Sequence, residues 1–231
     1  MKKIITILAT LMLTTMSINF AKAEGFAVGV TGAYNKIEAD GQETEATVSG
    51  VTSEITKKSV SNDVFTGSVF GEYSFANVSY ADSGITLGVR YTPGSADVSD
   101  RVLSRTDTSA GADVAAEADT GTYKAQASVE KYINYYLDIP LYKSMYVKAG
   151  WSQIDVITEE SSTSTIGSYG NATLDGVNYG IGVKGENGNI VWKLAYEATN
   201  FDTLNLTSST SNKIKADLDT SEVNLSVGYK F

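Results

Sequence analysis

The chain has 231 residues and carries 18 Lys and Arg against 27 Asp and Glu, with neither Cys nor His, for a formal charge of -9. An acidic excess speaks against a nucleic-acid partner, whose phosphates call for basic surface. The missing Cys and His remove disulfides, the commonest zinc and copper ligands and the commonest general base. Only 2 Pro occur beside 21 Gly and 14 Tyr, which suits antiparallel strands with tight turns and aromatic borders.

The chain begins Met1-Lys2-Lys3, runs through an apolar stretch from Ile4 to Phe20, and reaches Ala21-Lys22-Ala23 before Glu24. A charged start, a hydrophobic middle and a small-x-small site describe a cleaved secretory leader over 1–23. Thr6, Thr10, Thr14, Thr15, Ser17 and Asn19 interrupt the stretch, and no stop-transfer flank follows it. After Glu24 no apolar run approaches the length of about 18 residues that a spanning helix needs.

From Phe26, the residues Phe26, Val28, Val30 and Tyr34 alternate with smaller or polar ones, the period of a strand with one apolar face. The alternation returns at Phe65 to Phe75, at Ile85 to Tyr91, and at Ala125-Ala127-Val129 continuing through Ile133-Tyr135-Leu137. It returns again at Val147 to Trp151, Val177 to Val183, Trp192 to Tyr196 and Val223 to Phe231, giving eight strands. An even count is what single-chain bacterial barrels have.

Connections alternate in length. Long polar segments are expected as loops at Glu38 to Asp63, Gly94 to Thr120, Glu159 to Thr173 and Asn200 to Asp217, with short ones at Ala76 to Gly84, Pro140 to Ser144 and Gly185 to Asn189. This is the pattern of an eight-stranded antiparallel up-and-down transmembrane β-barrel with short periplasmic turns and long outer loops, one domain over 24–231. A soluble β-sandwich also explains period two, but not the polar opposite face or the loop alternation. The stretch from Thr122 to Ile139 is irregular, because Lys131 falls at an outward position; a bulge, or a strand top projecting beyond the bilayer, accommodates it.

At the end of the chain Val223, Leu225, Val227, Tyr229 and Phe231 share one face. This terminus resembles the C-terminal strand of outer-membrane barrels, and the chain after Glu24 resembles the OmpA/OmpX-type small barrels of Gram-negative envelopes. The resemblance implies an outer-membrane location, with Val227, Tyr229 and Phe231 as a signal for the assembly machinery, and membrane lipid and lipopolysaccharide as surroundings. The family includes structural and adhesive surface proteins and a few enzymes. Its proteases and acyltransferases rely on a histidine, which this chain lacks, so no catalytic residue carries over.

Outward aromatics are expected to form two interfacial girdles. Phe26, Tyr73, Phe75, Trp192, Tyr229 and Phe231 fall toward the periplasm, and Tyr34, Phe65, Tyr91, Trp151 and Tyr179 toward the outside. Inward parity places Glu72, Arg90, Glu130, Lys148, Lys184, Lys193, Glu197 and Lys230 in the lumen, where opposite charges should pair because eight strands leave room mainly for side chains. Glu72 and Arg90 are expected to pair beside Lys148 or Lys230. Acidic residues crowd the first two long segments: Glu38, Asp40, Glu43 and Glu45, then Asp97, Asp100, Asp107, Asp113, Glu117 and Asp119. Divalent cations bridging them to lipopolysaccharide phosphates are one use; solvated loops are the other. The expectation is a monomeric, non-enzymatic envelope protein without cofactor, acting through its outer loops, with a narrow passive pore as the alternative.

Overall fold

A computed structural model describes residues 25–44, 55–77, 81, 84–107, 121–162, 168–209 and 211–231. The expected leader lies outside these residues, as do Glu45, Asp113, Glu117 and Asp119. The described chain forms strands only: β1 Gly25–Thr44, β2 Ile55–Asn77, β3 Gly84–Asp97, β4 Leu103–Asp107, β5 Gly121–Tyr142, β6 Met145–Ser162, β7 Ala172–Asn187, β8 Ile190–Phe201, β9 Leu204–Thr207 and β10 Lys213–Lys230.

Neighbours pair antiparallel in the order β1-β2-β3-β5-β6-β7-β8-β10, and β10 pairs back onto β1, which closes the ring. The short strands extend two of the staves. β4 pairs with the part of β5 beyond the reach of β3, and β9 with the part of β10 beyond the reach of β8. The result is an eight-stranded up-and-down barrel. Two-residue turns join β5 to β6, with Tyr142 facing Met145, and β7 to β8 through Gly188-Asn189, with Asn187 facing Ile190. Gly188 takes the positive φ of 59° that such a two-residue hairpin turn requires.

The expected long loops are in good part strand. β1 runs to Thr44 and β2 starts at Ile55, well inside the segment from Glu38 to Asp63. With strands of 20 and 23 residues rising about 3.3 Å per residue, this hairpin far overshoots the apolar band of about 25 Å that a bilayer covers. The other outer segments likewise contain β4, β9 and the upper ends of β6 and β10.

The projecting part has a core of its own. Ile37, Val98, Ile154, Val156, Leu174, Phe201, Leu204 and Leu218 are buried together inside the barrel. Below them the interior is polar and the exterior apolar: Val28, Val30, Val69, Ile181, Leu194 and Leu225 are exposed while Thr31, Ser68, Asn178 and Ser226 are buried. A strand can therefore change phase along its length. On β1 the apolar residues face out through Val28 and Val30, then face in at Ile37, with Lys36 and Glu38 turned to water. β10 does the same: Val223, Leu225 and Val227 are exposed, whereas Leu218 is buried between exposed Asp217 and Asp219.

β5 makes the same change by a different route. Its apolar residues stay at odd positions from Ala125 to Leu137, but the backbone inserts a residue. Between the pairs Glu130↔Asp155 and Ile133↔Gln153, β5 spends two residues where β6 spends one, and Lys131 has a positive φ of 52°. The bulge inverts the parity above it. Val129 lies opposite buried Val156 and packs against the upper core, while Glu130 lies opposite Asp155 on the outer side. The expected lumenal position of Glu130 is thereby corrected. Directly opposite residues share a face, and a one-residue insertion moves every later side chain to the other face.

Candidate functional site

The lower lumen is filled by an ion-pair network. Lys193 on β8 reaches across to Glu72 on β2 and donates to Asp138 on β5 at 2.9 Å. Lys148 on β6 donates to Glu197 at 2.6 Å and lies 4.0 Å from Asp138. Arg90 on β3 holds Glu222 at 2.6 Å and stands 3.4 Å from Glu197. Tyr136 donates to Glu72 at 2.7 Å and Asn224 to Glu197 at 2.9 Å. The network thus draws on six of the barrel staves, and Glu72, Arg90, Asp138, Lys148, Lys193 and Glu197 are all buried.

Aromatic rings fill the space between the charges. Lys148 lies 4.1 Å from the centre of the Tyr136 ring and Lys193 lies 5.1 Å from it, placements in which the ring face attracts the cation. Each large ring is made possible by a glycine directly across the ladder: Gly88 opposite Tyr136 and Gly182 opposite Tyr146. A side chain at either glycine would collide with the ring. From the level of Arg90 upward neutral groups join the charges, where Asn134, opposite Arg90, donates to Ser152 at 2.7 Å and Asn178 to Thr199 at 3.0 Å.

Apart from Glu130, which the bulge turns outward, the expected lumenal residues lie at three places. Glu72, Arg90, Lys148, Lys193 and Glu197 meet in this network, but Glu72 and Arg90 are not partners. Glu72 sits opposite Gly88 and Arg90 opposite Phe70, two positions apart along the ladder, and each long side chain crosses the lumen instead. Lys184 lies lower, donating to Thr86 at 3.0 Å and to the Gly84 carbonyl at 3.1 Å. Lys230 pairs with exposed Glu186 at the periplasmic rim, 2.6 Å away, rather than with Glu72 or Arg90. Sequence reasoning missed Asp138, Glu222 and Tyr136. Strand parity contained the signal for all three, since each neighbours an outward apolar residue: Leu137, Val223 and Tyr135.

The expected girdle residues lie on the outer wall. Phe26 stacks on Phe231 at 6.5 Å and Tyr73 meets Phe75 edge-on at 5.3 Å at the periplasmic end; Tyr34 meets Phe65 at 5.0 Å at the other. Trp151 stacks on Tyr135 at 5.6 Å, while Tyr91, Tyr179, Trp192 and Tyr229 are exposed. The Phe231 amide donates to the Phe26 carbonyl at 2.9 Å, which brings the end of the chain into the closing seam.

Beyond the outer girdle the charges face water. Lys131 at the bulge pairs with Asp155 at 3.1 Å, and Thr173 donates to the same carboxylate at 2.7 Å. The Thr173 hydroxyl first, and Lys131 next, hold the Asp155 carboxyl below the usual range. Across the β1–β10 seam Glu38 lies opposite Asp219 and Asp40 opposite Asp217. Among the described residues no group of three or more acidic side chains is arranged to hold a metal ion.

No protein-family model and no curated protein matches the chain. Solved structures to which it is similar include Neisserial surface protein A, at 14% identity over 90% of this chain and 99% of that one with a TM-score of 0.39. OprG of Pseudomonas aeruginosa is similar at 14% identity, over 91% and 97%, with a TM-score of 0.42. The outer membrane protease OmpT of Escherichia coli is similar at 7% identity, over 94% and 100%, with a TM-score of 0.47. One is named a surface protein, one an outer-membrane protein and one an outer-membrane protease. Likenesses at this level transfer neither activity nor partner, and the barrel assignment rests on the closed strand ladder.

Proposed function

We propose that the protein is a non-enzymatic outer-membrane barrel with a structural or surface-interaction role, anchoring a tall acidic extension outside the bilayer. One observation carries this reading. At the level of the apolar belt the lumen is occupied by Arg90, Lys148 and Lys193 interlocked with Glu72, Asp138, Glu197 and Glu222. The upper strands, with their own buried core, form a folded platform rather than loose loops. The assembly machinery reads the terminal Val227, Tyr229 and Phe231, and divalent cations bridge the paired acids Glu38, Asp219, Asp40 and Asp217 to lipopolysaccharide phosphates, relieving like charges set opposite each other.

The test is electrical. Wild-type protein in a planar bilayer is expected to give no steady current, whereas Arg90→Ala, which vacates the centre of the seal, is expected to give measurable leak. Stable open-channel currents from the wild type would sink the sealed-anchor reading and favour the passive pore.

A further inference from the structure

Directly above the ion network the lumen contains a cavity of about 80 Å³. Its walls are Ile37, Val64, Val129, Ile154, Phe201 and the ring of Tyr132, and Glu222 and Glu197 form its floor. Glu222, whose side chain is 12% accessible, is the least buried acid of the network. Arg90 and Lys148 balance the two floor carboxylates, so the floor accepts hydrogen bonds without calling for a cation.

The cavity also has a side entrance. Exposed Pro93, Gly94, Ser95 and Lys131 belong to its lining, and they sit where the wall is irregular. The β2–β3 ladder stops at Val69↔Tyr91, so among the described residues β2 from Ile55 to Ser68 is laddered only to β1. Across the resulting seam the linking side-chain bonds are Ser68 to Thr92 at 2.7 Å and Asn62 to the Asp97 carbonyl at 2.8 Å. On the other side of β3 the ladder to β5 is broken between Thr92 and Ser95, where Gly94 has a positive φ of 89°. The entrance lies next to Tyr91 of the outer girdle, at the headgroup depth where amphipathic molecules concentrate.

We propose that this cavity binds a linear aliphatic alcohol, its hydroxyl donating to Glu222 and its chain lying among Ile37, Val64, Val129 and Ile154 and leaving through the seam between β2 and β3. Size sets the length held inside. An apolar cavity of about 150 Å³ takes benzene, so one near half that volume holds about three or four carbons, and a longer chain continues toward the girdle. The chemistry sets the headgroup: a hydroxyl both donates and accepts, and it brings no charge into a floor already balanced.

The experiment uses the folded protein in lipid nanodiscs, titrated with 1-propanol, 1-butanol and 1-hexanol and followed by the methyl resonances of Ile37, Val64, Val129 and Ile154. Saturable shifts are expected, with affinity rising along the series and falling about tenfold for the methyl ether of matched length, which cannot donate. Thr66→Phe, which puts a ring into the cavity, is expected to abolish the shifts while the protein still changes mobility on heating in detergent. Shifts that grow linearly with alcohol in the bilayer, or that persist in Thr66→Phe, would mean partition into lipid and overturn the site. Equal affinity for alcohol and ether would overturn the donation to Glu222. If Thr66→Phe fails to fold, the comparison of alcohol with ether on the wild type still decides.

Discussion

Lys193 shows most directly how the lumen is held together. It is buried, and its ammonium group is shared by Glu72 and Asp138, two acids from different strands. A buried ion pair adds little net stability, but removing one partner strands the other charge, at a cost of about 3–5 kcal/mol. Lys193→Met leaves two acids without their principal cation, so a clear fall in thermal unfolding temperature is expected. Adding Glu72→Gln and Asp138→Asn to Lys193→Met removes the stranded charges and should recover much of the loss. If the triple variant melts no higher than the single one, the packing of the lysine stem matters more than charge pairing.

A second residue-scale prediction concerns the bulge. Because the folded Asp155 carboxyl is held below its usual range by Thr173 and Lys131, its contribution is present above the ordinary carboxylate pKa of about 3.9 and is lost as pH falls through the lower folded value. Amides from Val129 to Ile133 should exchange faster as pH drops below about 4, after correction for the intrinsic rate. Asp155→Asn should show the faster exchange at every pH. Exchange in the wild type that does not respond to acid would remove Asp155 from any role in clamping the bulge.

On the scale of single strands, the instructive comparison is between β10 and β5. On β10 the sequence itself changes phase, from apolar outward at Val223 to apolar inward at Leu218, and the backbone runs on regularly. On β5 the sequence keeps one phase and the backbone supplies the change at Lys131. Deleting Lys131 should restore the original parity, turning Val129 and Ala127 outward and driving Glu130 into the upper core. The belt below is untouched, so the variant should still insert, but its upper strands should become sensitive to protease in intact cells. Unchanged protease resistance would mean that the strand re-registers elsewhere.

The same comparison explains what was legible in the sequence. Period two located every stave and the closing pair, because apolar alternation against lipid is long and regular. The phase switch was also written in the residues, as Ile37 after Tyr34 and Leu218 before Val223, but a polar outer face resembles a loop when the inner face is not tracked with it. Glu130 was misplaced because a bulge changes parity without changing composition. Asp138 and Glu222 were readable from parity alone, whereas the partners of Glu72 and Arg90 were not, since they lie across the lumen from strands remote in sequence.

Seen whole, the described residues form a closed ring whose β2–β3 seam is incomplete, and both features should be visible when the ring is opened. From Ala27↔Lys230 to Thr44↔Lys213 the first and last staves pair without interruption, so within the belt no free edge is offered to a denaturant. The folded protein should resist SDS at room temperature and migrate differently after boiling. Identical mobility before and after boiling would contradict closure. The seam should respond differently. Above Val69↔Tyr91 alternate amides of β2 point toward β1, where they are laddered, and the others point toward β3, where the ladder has ended. In hydrogen exchange the stretch from Ile55 to Ser68 should therefore alternate slow and fast residue by residue. The stretch from Val69 to Ser74, paired on both edges, should be slow throughout. Uniform protection over both stretches would show that something covers the seam in solution, and the lateral entrance would then be closed in the resting protein.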